Sequence, residues 1–323
     1  MTALQTKHQL RILSGRAHPA IAQAIADQLK SELCPVELGN FANGEINVRI
    51  LESVRGDDVF VVQSHCGNVN DAILEQAIII DAAKRASARS ITAVCPFFAY
   101  ARQDRKSSGR EPISARLMVD ILVRAGADRI MSIDLHTGQI QGFMDGPFDH
   151  LIARPLFIDY LAEHFSKSDL VIVSPDAGRV KSAERYSNAL GCSMAIVHKH
   201  RSVTKRNTVE AKELIGDVSG KTCVLIDDMI DTAGTLCAAA DLIAQRGAKA
   251  VYGVATHGLF SGPARQRITD SSFVKIITTD TVPQDPTFDK LEVRSTAPML
   301  ADAIRAVHTT SSVSALFNGD NQL

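Results

Sequence analysis

Three acids within five residues, Asp227, Asp228 and Asp231, stand directly before Thr232, Ala233, Gly234 and Thr235. In front of them, residues 222–226 form a short apolar, β-branched run that reads as a buried parallel strand. Behind them, residues 236–244 are good helix formers that stop at Gly247. Strand, loop and helix form the unit in which open α/β sheets place ligands, at the carboxyl ends of the strands. Thr232, Gly234 and Thr235 fall where backbone N–H groups and hydroxyls open the helix, which is a phosphate position by geometry and by helix dipole. Asp227 and Asp228 would repel a phosphate and so need another task. Adjacent sugar hydroxyls, which donate hydrogen bonds to carboxylates, meet that need, and the stretch reads as a ribose-phosphate loop. The plain alternative is a strand-end acid pair that caps a helix or holds Mg²⁺.

Other chemistry-bearing residues fall at predicted strand ends. Two basic loops, 102–110 and 199–206, interrupt a nearly neutral chain. Charge runs are usually solvated faces. Here both begin on the edge of the ribose-phosphate loop, which points to a polyphosphate substrate. His136 and Asp176 also follow predicted strands, 130–133 and 170–173. Together they would serve a Mg²⁺ that keeps most of its waters, although a lone strand-end histidine is more often structural. Phe41, Asn43 and Glu45 put an aromatic face and hydrogen-bonding groups near one turn, as a purine pocket would need or as a hairpin with a core phenylalanine would show. Residues 216–222 end in Gly-Lys-Thr but are one residue short of a phosphate-binding P-loop, and a strand follows where that motif needs a helix. They read as a turn.

The elements that must position these groups alternate strand and helix. Strands are predicted at 10–13, 46–51, 59–63, 91–95, 130–133, 170–173, 195–197, 222–226 and 251–255. Helices are predicted over 21–29, over 71–86 with Asn70 as cap, over 114–125 with a stop at Gly126, and from Pro155. The strand, loop, helix and strand of 59–95 lay over those of 223–255 in pattern, which predicts two similar α/β domains joined near residue 150. At 323 residues two domains are expected, and 45% hydrophobic content supplies their cores.

A net charge of −1 leaves no basic footprint for nucleic acid. Six cysteines without CxxC spacing read as reduced side chains of a cytoplasmic protein. The N-terminus has no signal-peptide apolar region, and no apolar run is long enough for a membrane span.

Taken together these stretches resemble the ribose-phosphate diphosphokinases, also called phosphoribosyl diphosphate synthetases, from Phe41 to Phe317. The markers are 41–45, 100–105, Asp134-Leu135-His136, 139–143, 173–176, His198-Lys199-His200-Arg201 and 227–235. The resemblance implies two phosphoribosyltransferase-like α/β domains, each with a mainly parallel sheet flanked by helices. The first, 8–150, would carry the ATP loops. The second, 151–310, would carry the ribose 5-phosphate and catalytic loops, with a tail, 311–323, packing at a domain or subunit surface. The implied reaction transfers the β,γ-diphosphoryl group of ATP to the C1 hydroxyl of ribose 5-phosphate. Phe41, Asn43, Gly44, Glu45, Arg102 and Gln103 would bind ATP. His136 and Asp176 would serve its Mg²⁺. Lys199 and Arg201 would be the catalytic cations. Arg201, Asp227, Asp228, Asp231, Thr232, Ala233, Gly234 and Thr235 would bind ribose 5-phosphate. Ser53, Arg55, Ser312 and Ser314 match segments that line the family's effector site for inorganic phosphate and ADP, and the usual assembly is a homohexamer.

The chain departs from the family pattern in places. Asn43 stands where many members have Asp, His198 and His200 alter the catalytic run, and Arg179 replaces a glycine common after Asp176. The rival readings are an ordinary phosphoribosyltransferase, which needs no ATP loops, a catalytically silent regulatory homologue, and a nucleic-acid-binding regulator.

Overall fold

The structure, a computed structural model, describes residues 8–200 and 211–317, without the side chains of 199, 200, 211 and 212. It divides into two compact units. The first holds residues up to Ile152, the short stretch Thr281–Pro283, and the chain from Ser295 onward. The second holds Ala153–Asp280 and Gln284–Arg294. Helix 297–308 therefore groups with the first unit, whereas the sequence expectation carried the second domain to residue 310.

In the first unit the chain runs β1 (Leu10–Ser14), α1 (Pro19–Leu29), β2 (Val36–Asn40), β3 (Ile46–Ile50), β4 (Asp58–Val62), α2 (Val69–Arg85), β5 (Ser90–Cys95), α3 (Ser114–Ala125), β6 (Arg129–Ile133) and β7 (Phe148–Leu151). Strands β1-β4-β5-β6-β7 form one parallel sheet, and β2 and β3 form a separate antiparallel hairpin. Strand β4 is buried at every position, as expected of a parallel strand covered on both faces.

Helix α2 begins at Val69, so Asn70 lies inside its first turn and is not the predicted cap. The Asn70 carboxamide oxygen instead accepts from the Tyr100 hydroxyl at 2.6 Å. The end of α3 at Gly126 falls where the sequence puts it.

The second unit runs α4 (Arg154–His164), β8 (Leu170–Ser174), α5 (Val180–Leu190), β9 (Ser193–His200), β10 (Ala211–Ile215), β11 (Thr222–Ile230), α6 (Gly234–Gln245), β12 (Ala250–Gly258), α7 (Ala264–Asp270), β13 (Phe273–Thr279) and β14 (Leu291–Arg294). After it, α8 (Ala297–His308) packs on α1 of the first unit. The second sheet has the order β10-β9-β8-β11-β12-β13-β14 and is parallel except for the edge pair β9–β10. Its order reverses between β8 and β11: later strands add outward on either side of that pair. In open α/β sheets such a reversal opens a crevice at the carboxyl ends of the two strands. Residues 216–221 turn into β11, which starts at Thr222, so a strand and not a helix follows them.

The cysteines are free thiols, four buried and two half-buried. Among the described residues no helix is long and apolar enough to cross a membrane.

His65 is fully buried and ties the end of β4 to the turn before Arg102. Its Nδ1 accepts from the Ala99 backbone N–H at 3.3 Å, and its Nε2 meets the Gln76 carboxamide oxygen at 2.8 Å. Burial lowers its pKa from 6.5 to about 4 against the opposing pull of the Gln76 bond. The unfolded chain then binds this proton first, so stability falls as pH drops from 6.5 toward 4. Over the full window this costs about 3 kcal/mol. His65→Gln is expected to flatten that loss, measured by denaturant unfolding at pH 7 and pH 4.5; equal slopes in both proteins would contradict it.

Candidate active site

The loop between β11 and α6 lies at the sheet reversal. The sequence expectation ended the strand at Ile226, but β11 continues to Ile230, so Asp227 and Asp228 lie within it. The extra length comes from one side only. β11 pairs with β12 as far as Ile230 opposite Gly258, while its pairing with β8 stops at Leu225 opposite Val173. The acid pair thus stands where β8 has left the ladder.

Ala233 has a left-handed φ of 60°, turning the chain into α6, a conformation that costs a non-glycine residue energy and clusters at ligand sites. Thr232 and Thr235 are exposed at the helix opening. The loop is held from below. The Ser261 N–H donates to the Asp231 carbonyl at 3.0 Å, and Arg267 Nη1 donates to the Thr232 carbonyl at 2.9 Å. A Cβ at Gly234 would sit 3.2 Å from that same Arg267 nitrogen, so the glycine leaves room for the guanidinium. Arg267 went unread in the sequence, because an arginine on the short helix α7 carries no local mark of this contact.

The turn after β8 faces the same crevice. Asp176 Oδ1 accepts from the Gly178 and Arg179 N–H groups at 2.8 and 3.1 Å, capping a single 3₁₀ turn. Arg179 Nε lies 3.3 Å from Asp227 Oδ1, and Nη2 lies 2.5 Å from Asp228 Oδ1. Burial raises the Asp227 pKa well above its ordinary value, the neighbouring Asp228 charge adds to this, and Arg179 opposes it. Lys199 lies in β9, backbone opposite Lys212, and Arg201 lies outside the described residues.

In the first unit, residues 41–45 form the tip of the β2–β3 hairpin. The Phe41 N–H donates to the Glu45 carbonyl at 2.8 Å, and the Glu45 N–H donates to Asn43 Oδ1 at 3.2 Å. Gly44 takes φ 93°, which a side chain would strain. Phe41 is 56% exposed, so the core-phenylalanine reading fails and the hairpin presents an open aromatic face.

Arg102 is exposed in the loop after β5. Gln103 Oε1 accepts from the Ser114 hydroxyl at 2.5 Å, which pins the loop to the start of α3. Asp104, which the sequence marks only as part of the 100–105 run, is buried and accepts from Thr137 Oγ1 at 2.6 Å and Gln139 Nε2 at 2.9 Å. It thereby joins the arginine loop to the loop of half-buried His136, which Asp134 enters with φ 38°.

Among the described residues no group of three His, Cys, Asp or Glu side chains forms a metal cage. Ser53 and Arg55 are exposed on either side of buried Val54, and Arg55 Nη1 donates to Ser87 Oγ at 3.2 Å. Ser312 and Ser314 are exposed after α8, whose His308 Nδ1 meets Asp58 Oδ2 at 2.8 Å, and Phe317 is buried.

Residues 10–126 match the N-terminal domain of ribose phosphate pyrophosphokinase, and residues 205–318 match the phosphoribosyl synthetase-associated domain. The chain is 52% identical to the ribose-phosphate pyrophosphokinase of Corynebacterium efficiens over 96% of each chain. It is 51% identical to that of Streptomyces coelicolor over 98% of this chain and 99% of the other. The crystal structure of phosphoribosylpyrophosphate synthetase from Mycobacterium smegmatis matches with a TM-score of 0.89 at 50% identity, covering 94% of this chain and all of that one. Fold and loops define a two-unit α/β protein of the phosphoribosyl type. The chain belongs to the ribose-phosphate pyrophosphokinase family.

Proposed function

We infer that this protein is a ribose-phosphate diphosphokinase that makes 5-phosphoribosyl 1-diphosphate and AMP from ATP and ribose 5-phosphate. The observation that carries this is the Asp227–Thr235 stretch at the sheet reversal of the second unit, in a chain about half identical to such enzymes along nearly its whole length. The C1 hydroxyl oxygen attacks the β-phosphorus of ATP. A new P–O bond forms there as the bond to the α,β-bridging oxygen breaks, AMP leaves, and the hydroxyl proton passes to solvent. Such a transfer relies on in-line placement and charge neutralisation more than on covalent catalysis.

In this reading Asp227 and Asp228 accept from the ribose hydroxyls. Asp231 and residues 232–235 take the 5-phosphate at the α6 N-terminus, where exposed threonine hydroxyls and the helix dipole favour an anion. Arg102, Gln103 and the Phe41, Asn43, Gly44 and Glu45 hairpin bind ATP. The exposed Phe41 would cover an adenine of a neighbouring subunit in a homohexamer. Lys199 and Arg201 neutralise the migrating charge.

Mg²⁺, where bound, supplies charge neutralisation on the ATP phosphates. Asp176 retains an oxygen beyond the one that caps its turn, and His136 is half-buried at a strand end. One or two protein groups with substrate phosphates and waters suffice for Mg²⁺.

Purified protein given ATP, Mg²⁺ and ribose 5-phosphate is expected to release AMP in step with the phosphoribosyl product. ATP left intact would refute the reading, and AMP released without ribose 5-phosphate would point to another acceptor.

Regulation by inorganic phosphate, with ADP competing, belongs to the same reading. Ser53, Arg55, Ser312 and Ser314 offer hydroxyls and an arginine fork suited to a phosphate oxyanion. Activity is expected to rise with phosphate at fixed Mg²⁺, and Arg55→Ala to blunt that rise with basal turnover kept. A phosphate response in Arg55→Ala equal to that of the unmodified protein would make these segments structural.

A further inference from the structure

We propose that Arg179 is a positioning residue of the ribose site, its guanidinium holding Asp227 and Asp228 as an ionised acceptor pair for sugar hydroxyls. The inference rests on the ribose 5-phosphate reading of that pair.

The geometry is specific. Arg179 stands in the turn after β8 and reaches across the point where β8 leaves β11. It touches one oxygen of each carboxylate, at 3.3 Å on Asp227 and 2.5 Å on Asp228. The Asp227 oxygen it touches also accepts the Asp228 backbone N–H at 2.9 Å, so two donors fix the orientation of that carboxylate. Arg179 is itself only 21% exposed, which keeps solvent from weakening the contact.

Two adjacent carboxylates in a crevice are costly to ionise together. The charged groups acting on Asp227 are Asp228, which raises its pKa, and Arg179, which lowers it. On the β12 side Ala255 stands opposite Asp227, and buried His257 stands opposite Met229. Asp176 precedes Arg179 in its turn, and Asp231 follows on the loop. The guanidinium favours the ionised form of Asp227 against burial and the neighbouring charge. A protonated carboxyl uses one oxygen as a donor and loses an acceptor that a ribose hydroxyl needs.

The first unit repeats the device. Strand β1 stands beside β4 as β8 stands beside β11. Arg16, just after β1, puts Nε 2.5 Å from Glu75, a buried acid on the helix that follows β4. There the strand-end position matching Asp227 is Gln63, which donates to Glu75 at 2.8 Å. Arg16 meets one carboxylate there, whereas Arg179 meets two.

Arg179→Met, Arg179→Lys and the unmodified protein separate the outcomes. Ribose 5-phosphate binding is measured by titration calorimetry without ATP from pH 5.5 to 8.5, alongside KM for both substrates. Arg179→Met is expected to weaken ribose 5-phosphate binding about tenfold at neutral pH, the worth of one charge-assisted hydrogen bond. Its binding should strengthen as pH rises, with KM for ATP unchanged, while Arg179→Lys restores most of the loss and the flatter pH profile. Tighter ribose 5-phosphate binding in Arg179→Met would overturn the proposal by making Arg179 a competitor of the sugar. Unchanged affinity and pH profile would also overturn it. Should Arg179→Met fail to fold, Arg179→Gln takes its place with the same expectations. Failure of the parent reading looks different: the unmodified protein would release no AMP, or Asp227→Asn would leave ribose 5-phosphate binding intact, and either result removes this inference with it.

Discussion

Lys199→Ala is expected to lower kcat by about 10³–10⁵ while the protein folds and still binds ribose 5-phosphate, the range found for cations that meet charge developing on a transferring phosphoryl group. Lys199 lies at the carboxyl-terminal end of β9, next to β8 in the sheet, and β8 in turn borders the reversal at β11. Strand order thus brings it to the edge that carries Asp176 and Asp227. A cation needed only in the transition state changes kcat and leaves ground-state affinity alone. Single-turnover measurement of AMP release, with calorimetric binding of ribose 5-phosphate, reads both quantities. Near-normal kcat would remove Lys199 from catalysis. A loss confined to KM would make it a substrate clamp.

Local chemistry was legible in the sequence where neighbours along the chain decide the outcome. The turn 232–235 and helix α6 follow from an apolar strand, three acids and a small-residue turn in direct succession. The stop of α3 at Gly126 follows from a glycine after a helical run. What escaped depends on partners far away in sequence. Asp227 to Ile230 look like the break after a strand, yet they remain in β11 because β12 pairs with them to Gly258. Asn70 has the chemistry of a cap, but the Tyr100 hydroxyl, 30 residues away, takes its side chain and the helix starts earlier. Phe41 reads equally as core or surface, since only the separation of the β2–β3 hairpin from the main sheet leaves it bare. Helix α8 follows the second unit in sequence but is apolar along the face that meets α1, and Arg305 donates to the Gln28 carbonyl at 3.3 Å. Arg179 could be noticed as a departure from the family pattern. Its two carboxylate partners, 48 and 49 positions on, could not.

Asp227→Asn combined with Asp228→Asn is expected to raise KM for ribose 5-phosphate by 10²-fold or more, roughly 1.5–3 kcal/mol for each lost charge-assisted bond, and to move KM for ATP far less. The asymmetry is the test, because carboxylates that held the metal would affect ATP at least as strongly. Equal changes in both KM values would reassign the pair to Mg²⁺. The single variant Asp227→Asn adds a second reading from stability. Burial, followed by the Asp228 charge, raises the folded-state pKa of Asp227 above the unfolded value of 3.8. The folded protein then binds this proton more tightly than the unfolded chain. The associated stability is fully present below 3.8 and is lost as pH rises through the raised folded value. Ionising the pair is costly in the folded protein, and Arg179 offsets that cost in part. Asp227→Asn removes the like-charge repulsion and leaves Arg179 its closer partner, Asp228. The variant is therefore expected to melt no lower than the unmodified protein at pH 7.5 and to show a smaller decline in stability as pH rises above 3.8, while losing affinity for ribose 5-phosphate. A carboxylate kept for binding at the expense of folding has this signature. A large drop in Tm together with unchanged sugar affinity would make Asp227 a structural anchor of β11 instead.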